Sequence, residues 1–213
     1  MGLPKIAPYA LPTAGDLPVP RAPWKLERDR AALLIHDMQN YFLDIFTPDV
    51  APIAPAIANI KALASACRTA GIPVFYTAQD GEQDRRDRGL QADLWGPGMG
   101  WDRQPIIDAL APTPGDIVLV KHRYSAFQRS NLETLMRVRG RDQLIVSGIY
   151  AHIGCTLTAT EAFMRDIEPF MAADALADFS REKHDMALAY VADVCGVPLT
   201  TAQILERIVE IGR

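Results

Sequence analysis

The octapeptide Arg30-Ala-Ala-Leu-Leu-Ile-His-Asp37 decides how the chain folds. Ala31 to Ile35 run without a polar break, as a strand buried on both faces does. Such a strand belongs at the centre of a parallel sheet. The run ends on a charge, Asp37, followed by Met38-Gln-Asn-Tyr-Phe42. Open α/β sheets bind ligands beyond the carboxyl ends of their strands, which puts Asp37 where such folds keep their chemistry. A helix N-cap or an ordinary loop carboxylate would also suit the position.

Outward from this strand, apolar runs and helical spacings alternate. Residues 52–70 carry Ile53, Ile57, Ile60, Leu63 and Cys67 at helical intervals before Gly71, which predicts a helix with Cys67 on its core face. Pro73 to Gln79 reads as a second strand and Asp116 to Lys121 as a third, buried one. Gln143 to Tyr150 and Pro169 to Ala173 read as the fourth and fifth, and Val197 to Thr200 as a short last strand. Helices are predicted over 106–110, through Leu132 and Met136 up to Gly140, and over 156–166. Ser180 is placed to cap a helix reaching Val194, and Thr200 with Gln203 has the form of a capping box for the final one. The expected fold is α/β: a single-domain, doubly wound (Rossmann-like), mostly parallel six-stranded sheet with helices on both faces.

Two segments stand apart. Residues 80–100 pass from a charged run, Asp80 to Arg88, to Trp95-Gly-Pro-Gly-Met-Gly100, a long loop of the kind that walls a pocket. These glycines do not directly follow a strand, so they are not a phosphate-binding fingerprint. Residues 1–23 hold prolines at 4, 8, 12, 18, 20 and 23 and read as an extended arm, leaving 24–213 as the domain.

A chain of 213 residues, 49% hydrophobic, can bury one substantial core. A net charge of −4 without a long basic run argues against nucleic acid or an anionic membrane surface as partner. No apolar run approaches the roughly 18 residues of a membrane span, and the N-terminus has no signal-peptide pattern. A cytoplasmic protein is expected. The three cysteines, Cys67, Cys155 and Cys195, are too scattered for a disulfide framework, and Cys195 reads as structural. The four histidines, His36, His122, His152 and His184, form no pair at ligand spacing, so neither metal nor cofactor is expected. His36 and His152 read as hydrogen-bonded structural histidines.

Three strand ends carry reactive groups. Asp37 ends the first strand, Lys121 the third, and Cys155 follows the fourth. Parallel strands bring these ends to one rim, where the groups can converge. Cys155 is expected at a helix N-terminus, which favours a thiolate or a bound anion. Arg85 and Arg86 read as solvated loop charges, and Trp95 and Tyr150 would serve equally as core aromatics.

These residues lie inside longer matches. Leu33–Phe42, Tyr76–Gln79, Leu94–Gly98, Lys121–Phe127, Gly148–Cys155, Ala162–Asp166 and Asp174–Ser180 resemble the isochorismatases of the isochorismatase-like hydrolase superfamily, almost end to end. The likeness is especially close to the isochorismatases of catechol siderophore pathways. It implies hydrolysis of the vinyl ether isochorismate to 2,3-dihydro-2,3-dihydroxybenzoate and pyruvate, with Asp37 as general acid. It implies further that Lys121 pairs with the acid, Cys155 is a dispensable pocket residue, and Gln79, Arg88, Trp95, Tyr150, Phe42 and Gly154 meet the substrate. Lys121 and Arg88 are the expected partners of the substrate's two carboxylates. Members are usually homo-oligomers, often dimers.

The chain departs from the pattern at His122, where Lys-Trp-Arg-Tyr-Ser is usual, and the C-terminal aryl carrier domain of many siderophore enzymes is not expected here. Any carrier is therefore expected to be a separate protein. Three other readings remain: a phenazine-type hydrolase of 2-amino-2-deoxyisochorismate, a cysteine amidase with Cys155 as nucleophile, and a scaffold that docks a carrier protein. The Gly154-Cys155 pairing looks more like the siderophore branch.

Overall fold

The computed structural model describes residues 5–209; Pro4, the start of the arm and the end of the domain, 1–4 and 210–213, lie outside the described residues. Six parallel strands form one sheet in the order β3-β2-β1-β4-β5-β6. They are β1 (Ala31–His36), β2 (Val74–Ala78), β3 (Ile117–Val120), β4 (Gln143–Ile149), β5 (Glu168–Ala177) and β6 (Val197–Leu199). The order reverses between β1 and β4, and such a switch point opens a crevice at the carboxyl ends of the two strands.

The unbroken apolar run of β1 is explained by its two neighbours and two covered faces. Successive side chains alternate across the sheet. Leu33 and Ile35 pack with α2 (Ile53–Thr69) and α8 (Thr201–Val209). Ala32 and Leu34 pack on the other face with α5 (Leu132–Arg137), α6 (Thr156–Phe163) and α7 (Arg181–Val194). Cys67 and Cys195 are free thiols in these two cores. The expected caps form: Ser180 accepts from the Lys183 amide, and Thr200 and Gln203 bond reciprocally.

The structure differs from the sequence reading in four places. The third strand is the edge of the sheet rather than a buried strand, with Val118 and Val120 49% and 44% exposed. Residues 106–110 make only a 3₁₀ turn (Asp108–Leu110), because Ile106 is drawn into a bridge with Gln39. The long loop contains two short helices, α3 (Arg85–Arg88) and α4 (Gln91–Trp95), while α1 (Asn40–Leu43) follows β1. Finally, β5 runs on to Ala177. Its polar interruption, Asp174, leaves the core to accept from the amide and hydroxyl of Thr201 at the start of α8.

The arm lies along its own domain from residue 5. Ile6 is buried and its amide donates to the Ile45 carbonyl. The Tyr9 hydroxyl accepts from the Asp178 amide at 2.7 Å and lies 3.2 Å from His184 Nδ1. No helix of the described residues is long and apolar enough to cross a membrane.

Candidate active site

Beyond the sheet's carboxyl edge lies a cavity with about 550 Å³ of empty space including its mouth. Five strands each send it a residue just past their ends: Asp37 from β1, Gln79 from β2, Lys121 from β3, Tyr150 from β4 and Phe179 from β5. Phe42, Arg88, Trp95 and Gly154 also line it, so the structure gathers eight of the nine sequence-predicted site residues that surround a substrate or hold the acid.

The ninth, Cys155, does not line the cavity. It is fully buried among the residues beneath α6 and α7. Nor is it at a simple helix N-terminus, since a π-helical turn (Ala151–Cys155) precedes α6 and the Cys155 amide already donates to the Tyr150 carbonyl. Burial, joined by the charges of Asp37 and Asp178, pushes its thiol well above the usual range despite Lys121. The expectation of a favoured thiolate is therefore corrected: the resting group is a neutral thiol.

Asp37 and Lys121 form a buried ion pair, Nζ to Oδ2, at 2.8 Å. Thr77 completes the carboxylate, its hydroxyl donating to Oδ1 at 2.7 Å. Burial works to raise the Asp37 pKa, but Lys121, His36 and the two hydrogen bonds outweigh it, and the carboxyl lies below its usual range. At rest the site thus holds a carboxylate. Lys121 spends its other N–H groups on the carbonyls of Arg123 (2.8 Å) and Tyr124 (3.3 Å). With three acceptors already met, Lys121 is the counter-ion of Asp37 rather than a free partner for a substrate carboxylate, contrary to the sequence expectation.

Backbone geometry sets the acid in position. Asp37 has φ +52°, a left-handed conformation that Asp tolerates better than most residues, and it turns the carboxylate over the strand end. Behind it, His36 is fully buried, with Nδ1 2.8 Å from the Ile149 carbonyl and Nε2 3.2 Å from that of Tyr124. Burial drives its imidazole toward the neutral form. Two glycines make room for it: a Cβ on Gly148 would meet the His36 carbonyl oxygen at 2.2 Å, and one on Gly154 the ring at 2.2 Å. This explains Gly154 in the sequence pattern as space for His36 beside the cavity.

Arg88 is 6% exposed, and no carboxylate among the described residues pairs with it. Its Nε donates to the Gly96 carbonyl at 2.6 Å, and Gly98 packs so close that a Cβ there would meet the guanidinium at 2.9 Å. Desolvation lowers its pKa from the arginine range, as expected for a cation held largely out of water. Around it stand aromatics already hydrogen-bonded within the protein. Trp95 donates to the Tyr124 hydroxyl at 2.6 Å, and Tyr150 to the Phe42 carbonyl at 2.7 Å. Tyr150 also packs 4.5 Å from Phe179, centroid to centroid.

Sequence reasoning missed several wall residues: His36 as a lining group, Tyr41, Gln91, Tyr124, Ile153 and Phe179. Gln91 had a signal, since it lies three residues after Arg88 across the α3–α4 turn. Phe179 carries the aromatic side of a segment quoted only for its likeness. Gln39, fully buried, holds the β2 end by exchanging two 2.8 Å bonds with the Gln79 backbone. His152 is confirmed as a structural histidine, bonded to the buried Asp178. Among the described residues no three His, Cys, Asp or Glu gather as a metal set.

Known proteins carry the same pattern. The family model of the isochorismatase domain matches residues 31–203. The isochorismatase of Bacillus subtilis is 52% identical over 98% of this chain and 67% of its own length. The phenazine biosynthesis protein PhzD of Pseudomonas fluorescens is 47% identical over 96% of this chain and 99% of its own. A cysteine hydrolase from Pseudomonas syringae superposes with a TM-score of 0.79 at 27% identity, covering 90% of this chain and 97% of that one. With the sheet, the acid–lysine pair and these matches in agreement, the chain belongs to the isochorismatase family of hydrolases.

Proposed function

We propose that the protein hydrolyses the vinyl ether of isochorismate, giving 2,3-dihydro-2,3-dihydroxybenzoate and pyruvate, in the making of a siderophore or a related secondary metabolite. One observation carries this reading above that of a cysteine amidase. The cavity presents a buried Asp37–Lys121 pair, whereas the cysteine a thiol hydrolase would need is sealed behind the wall.

The reaction divides into steps this site can serve. Asp37 gives a proton to the terminal CH₂ carbon of the enolpyruvyl group, leaving an oxocarbenium ion. The regenerated carboxylate stabilises that cation at short range. Water adds to the cationic carbon and loses a proton to Asp37, forming a hemiketal. The ring C–O bond stays intact; the bond from oxygen to the former enol carbon breaks, the ring oxygen takes a proton, and pyruvate leaves.

The proton's source follows from the electrostatics. At rest Asp37 is ionised beside Lys121. A dianionic substrate displaces water and adds negative charge, and both effects raise the carboxylate's affinity for a proton. Arg88 takes one substrate carboxylate, for which a fork-shaped donor is well formed. Trp95, Tyr150, Phe42 and Phe179 exclude water around the enol ether. No step requires a thiolate, and Cys155 packs the core.

The test is hydrolysis in H₂¹⁸O by wild type and Cys155→Ala. The expected result is pyruvate release by both, with the ring diol free of label. Label in the diol, or loss of release in a folded Cys155→Ala, would contradict the reading. A homodimer, an aryl carrier protein as partner and a cytoplasmic location complete the proposal.

A further inference from the structure

Gln39, two residues beyond the acid, does more than hold the end of β2. The paired register of β1 and β2 ends at His36 and Thr77, and the chain turns away at Asp37. The Gln39 side chain supplies the next rung. Its Nε2 donates to the Gln79 carbonyl and its Oε1 accepts from the Gln79 amide, both at 2.8 Å, as a paired strand peptide would. Nε2 also donates to the Gln104 carbonyl at 2.6 Å. Gln79 and Gln104 bracket the segment that carries Arg88 and Trp95 into the cavity wall. The two stems of that segment touch directly. Gln104 Oε1 accepts from the Gly81 amide at 2.8 Å, the Glu82 amide donates to the Met99 carbonyl at 2.8 Å, and a Cβ on Gly81 would meet the Trp101 amide nitrogen at 2.8 Å. One fully buried amide beside the acid thus ties both ends of the wall segment.

We infer that Gln39 is a positioning residue that holds the 79–104 segment, and with it Gln79 and Arg88, in register with Asp37. The inference rests on the isochorismate reading and deepens it. A substrate held by a carboxylate at Arg88 must bring its CH₂ carbon to Asp37, and these two groups stand on different elements. The spacing between them governs how often the bound ether meets the acid. Gln39 is the side chain that joins the strand end bearing the acid to both stems of the segment bearing the arginine. Its amide has one workable orientation, because the reverse would set Oε1 against two carbonyl oxygens. Neither an apolar side chain nor a carboxylate reproduces those bonds.

The experiment measures pyruvate release from isochorismate by wild type, Gln39→Met and Gln104→Leu, each alone and combined with Arg88→Met. Tryptic cleavage is followed alongside at Arg85 and Arg86, whose side chains are 81% and 91% exposed within the segment. Gln39→Met keeps the side chain's length and removes its hydrogen bonds. Gln104→Leu opens the same stems from a half-buried position and keeps the claim testable where Gln39→Met does not fold. Gln39→Met is expected to lose about 10- to 100-fold in kcat/KM, chiefly through KM, with faster cleavage confined to Arg85 and Arg86. Gln104→Leu should move both readings the same way by less. With Arg88→Met the increases in KM should fall short of multiplying, because the group being positioned is gone. A purely structural role would instead hasten cleavage throughout the chain and leave KM unchanged. Unchanged KM in every variant that folds, or effects that multiply in full with Arg88→Met, would overturn the inference alone. A wild type inert on isochorismate would overturn the reading beneath it, and the inference with it.

Discussion

Asp37 and Lys121 face each other at 2.8 Å with almost no solvent, and each is tolerable in that place only because of the other. Lys121→Met removes one partner and leaves a buried carboxylate, so unfolding in urea should show a loss of about 3–5 kcal/mol. Arg88 gives the opposite result. It has no carboxylate partner to strand, so Arg88→Met should leave stability equal or higher while raising KM roughly 10-fold or more, the scale of a charge-assisted hydrogen bond. Asp37 and Lys121 were legible in the sequence because residue type and strand-end position together limit what they can do, and Arg88, in the α3 helix, because a dianionic substrate needs a cation. Cys155 was placed correctly in the chain and wrongly in space. A π-helical turn rotates it into the core, and nothing local in Tyr150-Ala-His-Ile-Gly-Cys155 announces that turn.

At the scale of elements, the β1–β4 pair carries the acid. His36 sits opposite Thr77 on one neighbour and Gly148 on the other, and its ring occupies the space left by Gly154. Gly154→Ala forces a methyl group into that ring. It is expected to destabilise by about 1–3 kcal/mol, measured by chemical denaturation, and to lower kcat by shifting Asp37. Element types were readable because periodicity is local: an unbroken apolar run became the central strand, and helical spacings with Ser180 and Thr200 caps became α7 and α8. Position in the sheet was not readable. Ile117 to Val120 look as apolar as β1, yet strand order, a non-local property, leaves them at the edge.

The whole molecule joins its cavity to its arm through buried polar groups. Tyr9 reaches from the arm to Asp178 and His184, and Asp178 adjoins the wall residue Phe179. Burial holds the pKa of His36 and His184 below the ordinary 6.5. The unfolded chain therefore binds more protons than the folded one at mildly acid pH. Stability contributed by keeping these imidazoles neutral is complete above about pH 6.5 and is lost as pH falls from there toward their folded values. The midpoint of urea unfolding should accordingly drop between pH 7.5 and 5, and His184→Gln should flatten that drop. A midpoint unchanged by pH would mean that the rings bind protons equally in the folded and unfolded chains, and would contradict the burial effect.

The most direct test of the chemistry is single-turnover pyruvate formation from isochorismate by wild type and Asp37→Asn, each checked for folding. Loss of a general acid is expected to slow the chemical step by about 10²–10⁴-fold while substrate still binds. Equal single-turnover rates in the two proteins would contradict the central role of Asp37.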